Sequence, residues 1–290
     1  MSLKIINACK LDSISSLKKC NLIKDMWGRH PLYYAVINNS YLNILWLYQK
    51  GHDLYQINTI KGNKEDLITT ALRTKNIYTI KTVCDLWERP INPSLYFTRL
   101  LMKSQGSEEL EYFLSRFKIF TIKGLERLIC KKAKVKHYKI FHRLHICFSL
   151  LESLRYCLTY RRNQEFLYLV NYIRCPEQLN AIFTTGGHST INLLSIAIVT
   201  VNIKASKILL KHGTNPSILI SNSNRESMTS LHVIANTIFK TEEISSIEYI
   251  IRLLLCYIDI NKTNAEGLTA YEFAKYKNNK IIISLFDKIN

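Results

Sequence analysis

The stretch that most limits what this chain can fold into runs Trp27-Gly28-Arg29-His30-Pro31-Leu32-Tyr33-Tyr34-Ala35, followed by Ile44, Leu47 and Gly51. Gly28 can adopt the positive φ of a tight turn, and Pro31, with φ pre-set and no N–H, suits the first turn of a helix. Ala35 is small enough for two helices to approach closely. Ile44 and Leu47, three apart, share one face of a second helix that folds back on the first, and Gly51 stands where that helix should end. The pattern predicts a helix, a turn and a returning helix.

The same pattern recurs along the chain. Ala8, Leu17 and Cys20 repeat it at the amino end, and Ala71, Ile80 and Val83 repeat it after Thr69-Thr70. Ala197, Leu209, Leu210 and Gly213 restate the interval of sixteen between Ala35 and Gly51. Thr229-Ser230-Leu231-His232 restates the opening, and Leu254-Leu255 through Asp259-Ile260-Asn261 the end, with Thr237 to Ser246 reading as an insertion between two helices. A last unit starts at Asn264-Ala265-Glu266-Gly267-Leu268-Thr269-Ala270 and continues to Ala274, Ile283 and Phe286. Between Pro90 and Gly187 the rule fits Leu101/Leu110/Phe113, Ile129/Tyr138/Phe141 and Leu158/Leu167/Val170, but only with a freely chosen register. Apolar spacings of three and four still predict helices there, over 110–117 and 166–173 for example, so the middle is either degenerate repeats or a basic helical insert.

His30-Pro31-Leu32-Tyr33-Tyr34-Ala35 and Thr229-Ser230-Leu231-His232 resemble the T-P-L-H-x-A opening of the ankyrin repeat, whose period is about 33 residues. The resemblance is good over 25–58 and 188–290, fair over 1–24 and 59–90, and poor in between. It implies an all-α solenoid of about seven to nine stacked helix-turn-helix repeats with short projecting hairpin loops. The organisation expected is 1–90, amino-terminal repeats with a cap; 91–187, degenerate repeats or insert; and 188–290, carboxyl-terminal repeats. In the family the Thr and His tie the turn to the helix, and only the Thr229/His232 unit keeps both. His30 replaces the Thr, Tyr33 the His, and Ile234 the Ala. What the resemblance implies for function is protein–protein binding without catalysis, by an adaptor, scaffold or signalling modulator.

Composition narrows the alternatives. With 9 Gly and 5 Pro in 290 residues, and 47% hydrophobic residues, helices are favoured over a turn-rich β fold. Abundant Lys, Ile, Asn and Leu fit an AT-rich genome, such as that of a large DNA virus, parasite or intracellular bacterium, and a protein acting on host proteins. Eight cysteines without a C-x-x-C pair read as buried free thiols in a reducing compartment. No stretch has the apolar core of a signal peptide, and the most apolar run, Ile191 to Ile203, is shorter than the roughly 20 residues that span a bilayer. A monomer in the cytoplasm or nucleus, off the membrane, is expected.

The sequence contains no G-x-S-x-G, phosphate-binding loop, H-E-x-x-H or zinc finger, so neither catalysis nor a cofactor is expected. His137, His142, His145 and Cys147 have metal-ligand types but lie in a basic run that disfavours a cation, and read as ordinary helical residues. His232 reads as a turn residue, and Gly186-Gly187 as a loop. The net charge of +18 is concentrated in Arg116, Lys118, Lys123, Arg127, Lys131, Lys132, Lys134, Lys136, Lys139 and Arg143, opposed over that span only by Glu126, with Arg155, Arg161 and Arg162 following. Interleaved with Phe117, Phe120, Tyr138 and Tyr160, these residues fit a solvated helix face, a nuclear-import run, a polynucleotide track or a seat for an acidic protein segment. Irregular spacing and the lack of a stacking series favour the acidic protein and leave polynucleotide binding weak and non-specific. A nucleic-acid module using 116–143 is the alternative. Candidate partner-binding residues are Lys131, Lys132, Lys134 and Lys136 on this run, with Trp27, Arg29, Tyr55 and Asn58 on hairpin loops, where an aromatic beside an Arg has hot-spot composition.

Overall fold

The computed structural model describes residues 2–60, 63–92, 96, 108–122, 124–185 and 189–289; Leu101, Lys123 and Gly186-Gly187, singled out above, lie outside them. The chain divides into two compact units, 1–148 and 149–290. In the first, helices pair as α1 (Ser2–Lys10) with α2 (Ile14–Lys18), α3 (Pro31–Ile37) with α4 (Tyr41–Gln49), and α5 (Leu67–Thr74) with α6 (Ile77–Leu86). Hairpin β1 (Asn58–Ile60) and β2 (Asn63–Glu65) joins the second pair to the third. Helix α7 (Glu108–Arg116) packs on α6, and α8 (Glu126–Lys132) is tied to α9 (Val135–Arg143) by a buried hydrogen bond between Cys130 and Tyr138.

The second unit repeats the plan. Helix α10 (Leu150–Thr159) pairs with α11 (Asn163–Val170), α12 (Leu193–Val199) with α13 (Ile203–Lys211), α14 (Ser230–Asn236) with α15 (Ile244–Leu254), and α16 (Ala270–Tyr276) with α17 (Lys280–Ile289). Hairpins β3 (Phe183–Thr184) with β4 (Thr190–Ile191), and β5 (Ile220–Ser221) with β6 (Ser227–Met228), precede α12 and α14. Within each unit first helices stack on first helices and second on second, so the protein is a helical repeat stack with short hairpins between pairs. Among the described residues no helix is long and apolar enough to cross a membrane.

The alanine register holds. Ala35, Ala71, Ala197 and Ala274 are fully buried on the first helix of their pairs, where successive first helices meet. In the middle, Ile129, Tyr138 and Phe141 occupy the same places and are buried. The third triple is one residue out against the template: Leu158 and Val170 are buried but Leu167 is 37% exposed, and Cys157, Phe166 and Leu169, also buried, hold the template places. The reason is local. In six of the pairs a residue in the left-handed region two places before the second helix fixes the start of that helix, and in this pair it is Arg161. Asp12, Asn39, Lys75, Val201 and Asn278 hold the equivalent place elsewhere. Between Asn236 and Ile244 the turn is lengthened by a 3-10 turn at Thr241–Glu243, which is the insertion read from the sequence.

Polar residues beside these turns bind one pair to the next. The Asn202 side chain accepts the Ala205 N–H at the start of α13 and donates to Asn163 Oδ1 at 2.6 Å in the preceding pair. Asn279 Nδ2 donates to the carbonyls of Ala235 and Thr237, Thr79 to Asn39 Oδ1 at 3.0 Å, and Asn43 Nδ2 to the Ala8 carbonyl at 3.3 Å. The bonds of Asn279 answer carbonyls at the end of α14, and those of Asn43 and Asn202 pair buried side-chain amides.

Candidate interaction surfaces

The turn carrying Trp27 and Arg29 is organised by Asp25. Its Oδ1 accepts the N–H groups of Trp27 and Arg29, and its Oδ2 accepts the Arg29 Nε–H at 2.8 Å and the Tyr34 hydroxyl. Burial pushes the Asp25 carboxyl up, but the donors from Tyr34, Arg29 and Trp27 outweigh it and hold the group below the usual carboxylate range. The Arg29 guanidinium lies 4.3 Å from the Trp27 ring centre, and Trp27 remains 55% exposed, so an ordered aromatic–cation pair faces solvent. Tyr55 is half-buried between Trp87, edge-on at 4.9 Å, and the Arg89 guanidinium at 3.7 Å. Asn58 requires a correction: it is fully buried, and its Oδ1 accepts the N–H of His30, the residue that opens α3, at 3.1 Å. It holds the hairpin to α3 and offers a partner nothing.

Lys131, Lys132 and Lys134 are exposed around the turn between α8 and α9, and Lys136 is half-buried. Lys118, Arg127, Lys139 and Arg143 are also exposed. Arg143 pairs with Glu111, Arg116 with Asp85, Arg155 with Glu152 and Arg162 with Glu165. Glu126 is 5% exposed and its Oε2 accepts the Gly124 N–H. The interleaved aromatics do not form a platform for bases. Tyr138 is fully buried, and Phe117 packs on Phe113 at 4.9 Å, while Phe120 alone of the three is well exposed, at 63%.

The histidines of this region are structural. His137 is buried and its Nδ1 accepts the Lys134 N–H at 2.9 Å, closing the first turn of α9. His145 takes φ +52° two residues beyond α9, the place that Gly51 and Gly213 hold beyond α4 and α13. No group of three metal-ligating side chains occurs among the described residues. No disulfide joins the described cysteines: Cys9, Cys84, Cys130 and Cys157 are buried and Cys20 is half-buried, whereas Cys147, Cys175 and Cys256 are exposed, against the expectation that all lie inside. Burial pushes the Cys84 thiol up to about 12.

In the second unit Thr229 and His232 do what the motif requires. Thr229 Oγ1 bonds His232 Nδ1 at 2.7 Å and His232 Nε2 meets the Leu268 carbonyl at 2.9 Å, both side chains being fully buried. The helix pairs and hairpins form a helical repeat stack that resembles ankyrin repeats. The bond to Leu268 reaches from one repeat into the turn opening the next, and burial holds His232 below its ordinary value. No protein-family model matches the sequence, and neither does any curated protein. Similar solved structures include the ankyrin repeat domain of Bcl-3, a member of the IkappaB family, at 13% identity and TM-score 0.42, covering 90% of this chain and 99% of that one. The human ASB11 ankyrin repeat domain has 12% identity and TM-score 0.30 over 97% and 96% of the two chains. The Legionella pneumophila effector AnkC has 10% identity and TM-score 0.43 over 85% and 75%.

A further feature escaped the sequence reading. Hairpins β3–β4 and β5–β6, joined by Ser221 N–H donating to Thr190 Oγ1 at 2.8 Å, stand beside α12 and α14 and enclose a groove of about 390 Å³. Its apolar wall includes Ile196, Ile220, Met228 and Val233, and Val199 stands half out of it at 50% exposure. Each of these residues alone reads as ordinary repeat core.

Proposed function

We propose that the chain is a non-catalytic protein-binding module, an adaptor or signalling modulator acting as a monomer, that engages an acidic segment of a partner through the helix pair α8–α9. The observation that carries this reading is the charge around that pair: Lys118, Lys131, Lys132, Lys134 and Lys139 are exposed, while Glu126, the one acid between residues 116 and 143, is buried. Such a field raises encounter rates with acidic partners. The Trp27–Arg29 pair and Tyr55 are proposed as accessory contacts, and the Lys-, Ile- and Asn-rich composition extends the proposal to host proteins as targets. Polynucleotide binding through the same lysines is the second reading, and the burial of Tyr138 and the packing of Phe117 count against it.

The test titrates the full chain and its Lys132→Glu, Lys139→Glu double variant with an Asp/Glu-rich peptide and with duplex DNA, across salt. The peptide should bind at physiological ionic strength and lose at least about tenfold in the variant, with salt acting mainly on the on-rate. DNA binding should fall with a log–log slope near −0.9 per phosphate contacted and be gone at physiological salt. Tight, sequence-selective DNA binding under those conditions, lost in the variant, would overturn the reading.

A further inference from the structure

Between Glu177 and Glu226 the sequence contains no acidic residue, a gap that takes in the whole of the helix pair α12–α13. Helix α13 turns Ala205, Ser206, Leu209 and Leu210 inward, and Lys204, Lys207 and Lys211 are exposed along its outer face. Among the described residues none of these three lysines enters an ion pair. The second helices stacked on either side do not neutralise them: Glu165 of α11 is buried and paired with Arg162, and Glu248 of α15 is paired with Arg252 at 2.9 Å.

This arrangement works against the helix that carries it. Asn202 caps α13, and Lys204 follows in the first turn, where the macrodipole disfavours a cation. Lys207 lies three residues beyond Lys204 and Lys211 four beyond Lys207, so each neighbouring pair repels along one face. The helices beside it are balanced, with Glu165 in the first turn of α11 and the Glu248–Arg252 pair one turn apart on α15. Like charge left uncompensated on an ordered helix breaks a local rule without a gain inside the fold, which marks a surface whose counter-charge comes from outside.

We infer that the outer face of α13 is a second interaction surface, which takes an acidic amphipathic helix of a partner protein. Charge selects an anion, and the spacing selects a helix. The three lysines span about 10 Å of helix axis in steps of three and four residues, and a helix laid beside α13 repeats that spacing with carboxylates at its own positions three and four apart. An extended segment sets same-side residues about 6.5–7 Å apart, out of step with the closer lysine pair. On the helices to either side, Leu167 is 37% exposed and Tyr249 45%, so the matching helix is acidic along its centre and apolar at its edges. Those apolar flanks favour a protein over a phosphate backbone, which has nothing to bury against them. The surface lies in the second unit and the pair α8–α9 in the first, so the two assignments fail separately.

The experiment titrates two labelled synthetic peptides of identical Glu, Leu, Ala and Gln composition against the full chain by fluorescence anisotropy at physiological ionic strength. One carries its glutamates three and four apart on a single helical face with leucines beside them, and the other spreads the same residues around the helix. An oligothymidylate of equal charge is the third probe. The chain is used as wild type, as Lys204→Glu, Lys207→Glu, as Lys132→Glu, Lys139→Glu, and with all four changes. Lys204 and Lys207 are exposed, and a glutamate in the first turn complements the macrodipole, so thermal unfolding should show no loss for the α13 variant. The one-faced peptide should bind wild type more tightly than its scrambled counterpart, keep binding in the Lys132→Glu, Lys139→Glu variant, and lose at least about tenfold when Lys204 and Lys207 are reversed in either background. Equal binding of the two peptides, or a one-faced peptide indifferent to the α13 changes, would overturn the inference. If that peptide is lost only in the Lys132→Glu, Lys139→Glu variant, the α8–α9 reading stands and this one falls. Oligothymidylate bound more tightly than the peptide, and lost with the same two lysines, would also overturn it and make the surface a polynucleotide track.

Discussion

The left-handed positions closing the second helices allow the repeat geometry to be tested with energies that separate cleanly. Gly51 and Gly213 hold φ of +80° and +88°, while Lys118 and His145 hold +49° and +52° at the matching place two residues past α7 and α9. A side chain in this region costs roughly 1–2 kcal/mol, and glycine's greater freedom in the unfolded chain costs about 0.5–1. Lys118→Gly and His145→Gly, both at exposed sites, should therefore stabilise the first unit by about 0.5–1 kcal/mol each. In the reverse direction, an added Cβ at Gly51 meets nothing within 4 Å, so Gly51→Ala should cost only the backbone term, about 1 kcal/mol. At Gly213 the same atom would stand 3.1 Å from Pro176 Cβ, so Gly213→Ala must also displace the turn at Pro176 and should cost about 1 kcal/mol more. Urea unfolding followed by circular dichroism measures this. With m near 2 kcal/mol/M, about 1 kcal/mol moves the midpoint by about 0.5 M at constant m. A lowered midpoint for His145→Gly, or equal losses for the two alanine variants, would refute the argument.

Two further outcomes follow from the packing. Ala197→Leu should cost about 1–3 kcal/mol by overpacking a fully buried contact, while Lys211→Leu, at an exposed site on α13, should be near neutral; equal melting temperatures for the two would show that the stacking register is wrong. His232 is held below its ordinary value of 6.5 by burial, against the opposing effects of the Leu268 carbonyl and the nearby Glu266. The folded state thus favours the neutral ring, and the stability this contributes is complete above pH 6.5 and lost as the pH falls through the folded value. The stability advantage of wild type over His232→Gln should therefore shrink as the pH falls below 6.5, and an advantage that grows on acidification would exclude a neutral buried His232.

How far the sequence could be read depended on whether a position tolerates only one kind of residue. Where helices meet closely, only a small side chain fits, so Ala35, Ala197 and Ala274 announced their units, and Gly51 and Gly213 announced helix ends. In the middle the same backbone places are filled by Lys118 and His145, which hide the signal while preserving the geometry. The run Phe166-Leu167-Tyr168-Leu169-Val170 offers several apolar registers, and the choice among them is made by Arg161 at φ +55°, a residue type that carries no turn signature. The candidate surfaces divide in the same way. Exposed charge is legible because nothing else explains so many lysines, and the structure keeps Lys131, Lys132 and Lys134 outside. Asp25 could have been found as an Asx residue ahead of Trp27-Gly28-Arg29, since a short carboxylate at a turn bonds the N–H groups that follow it. Asn58 misled because its loop position suggested exposure, whereas the N–H of His30, at the start of α3, is answered by that buried amide. The groove had no signal. Its lining comes from residue 159 and from the segments 189–200, 220–228 and 233–237, and it becomes apolar only when Thr200 and Thr237 turn their hydroxyls back onto their own helices. The neutral groove is therefore a property of the stacked repeats and not of any repeat alone, because one contributes one wall and the next contributes the other.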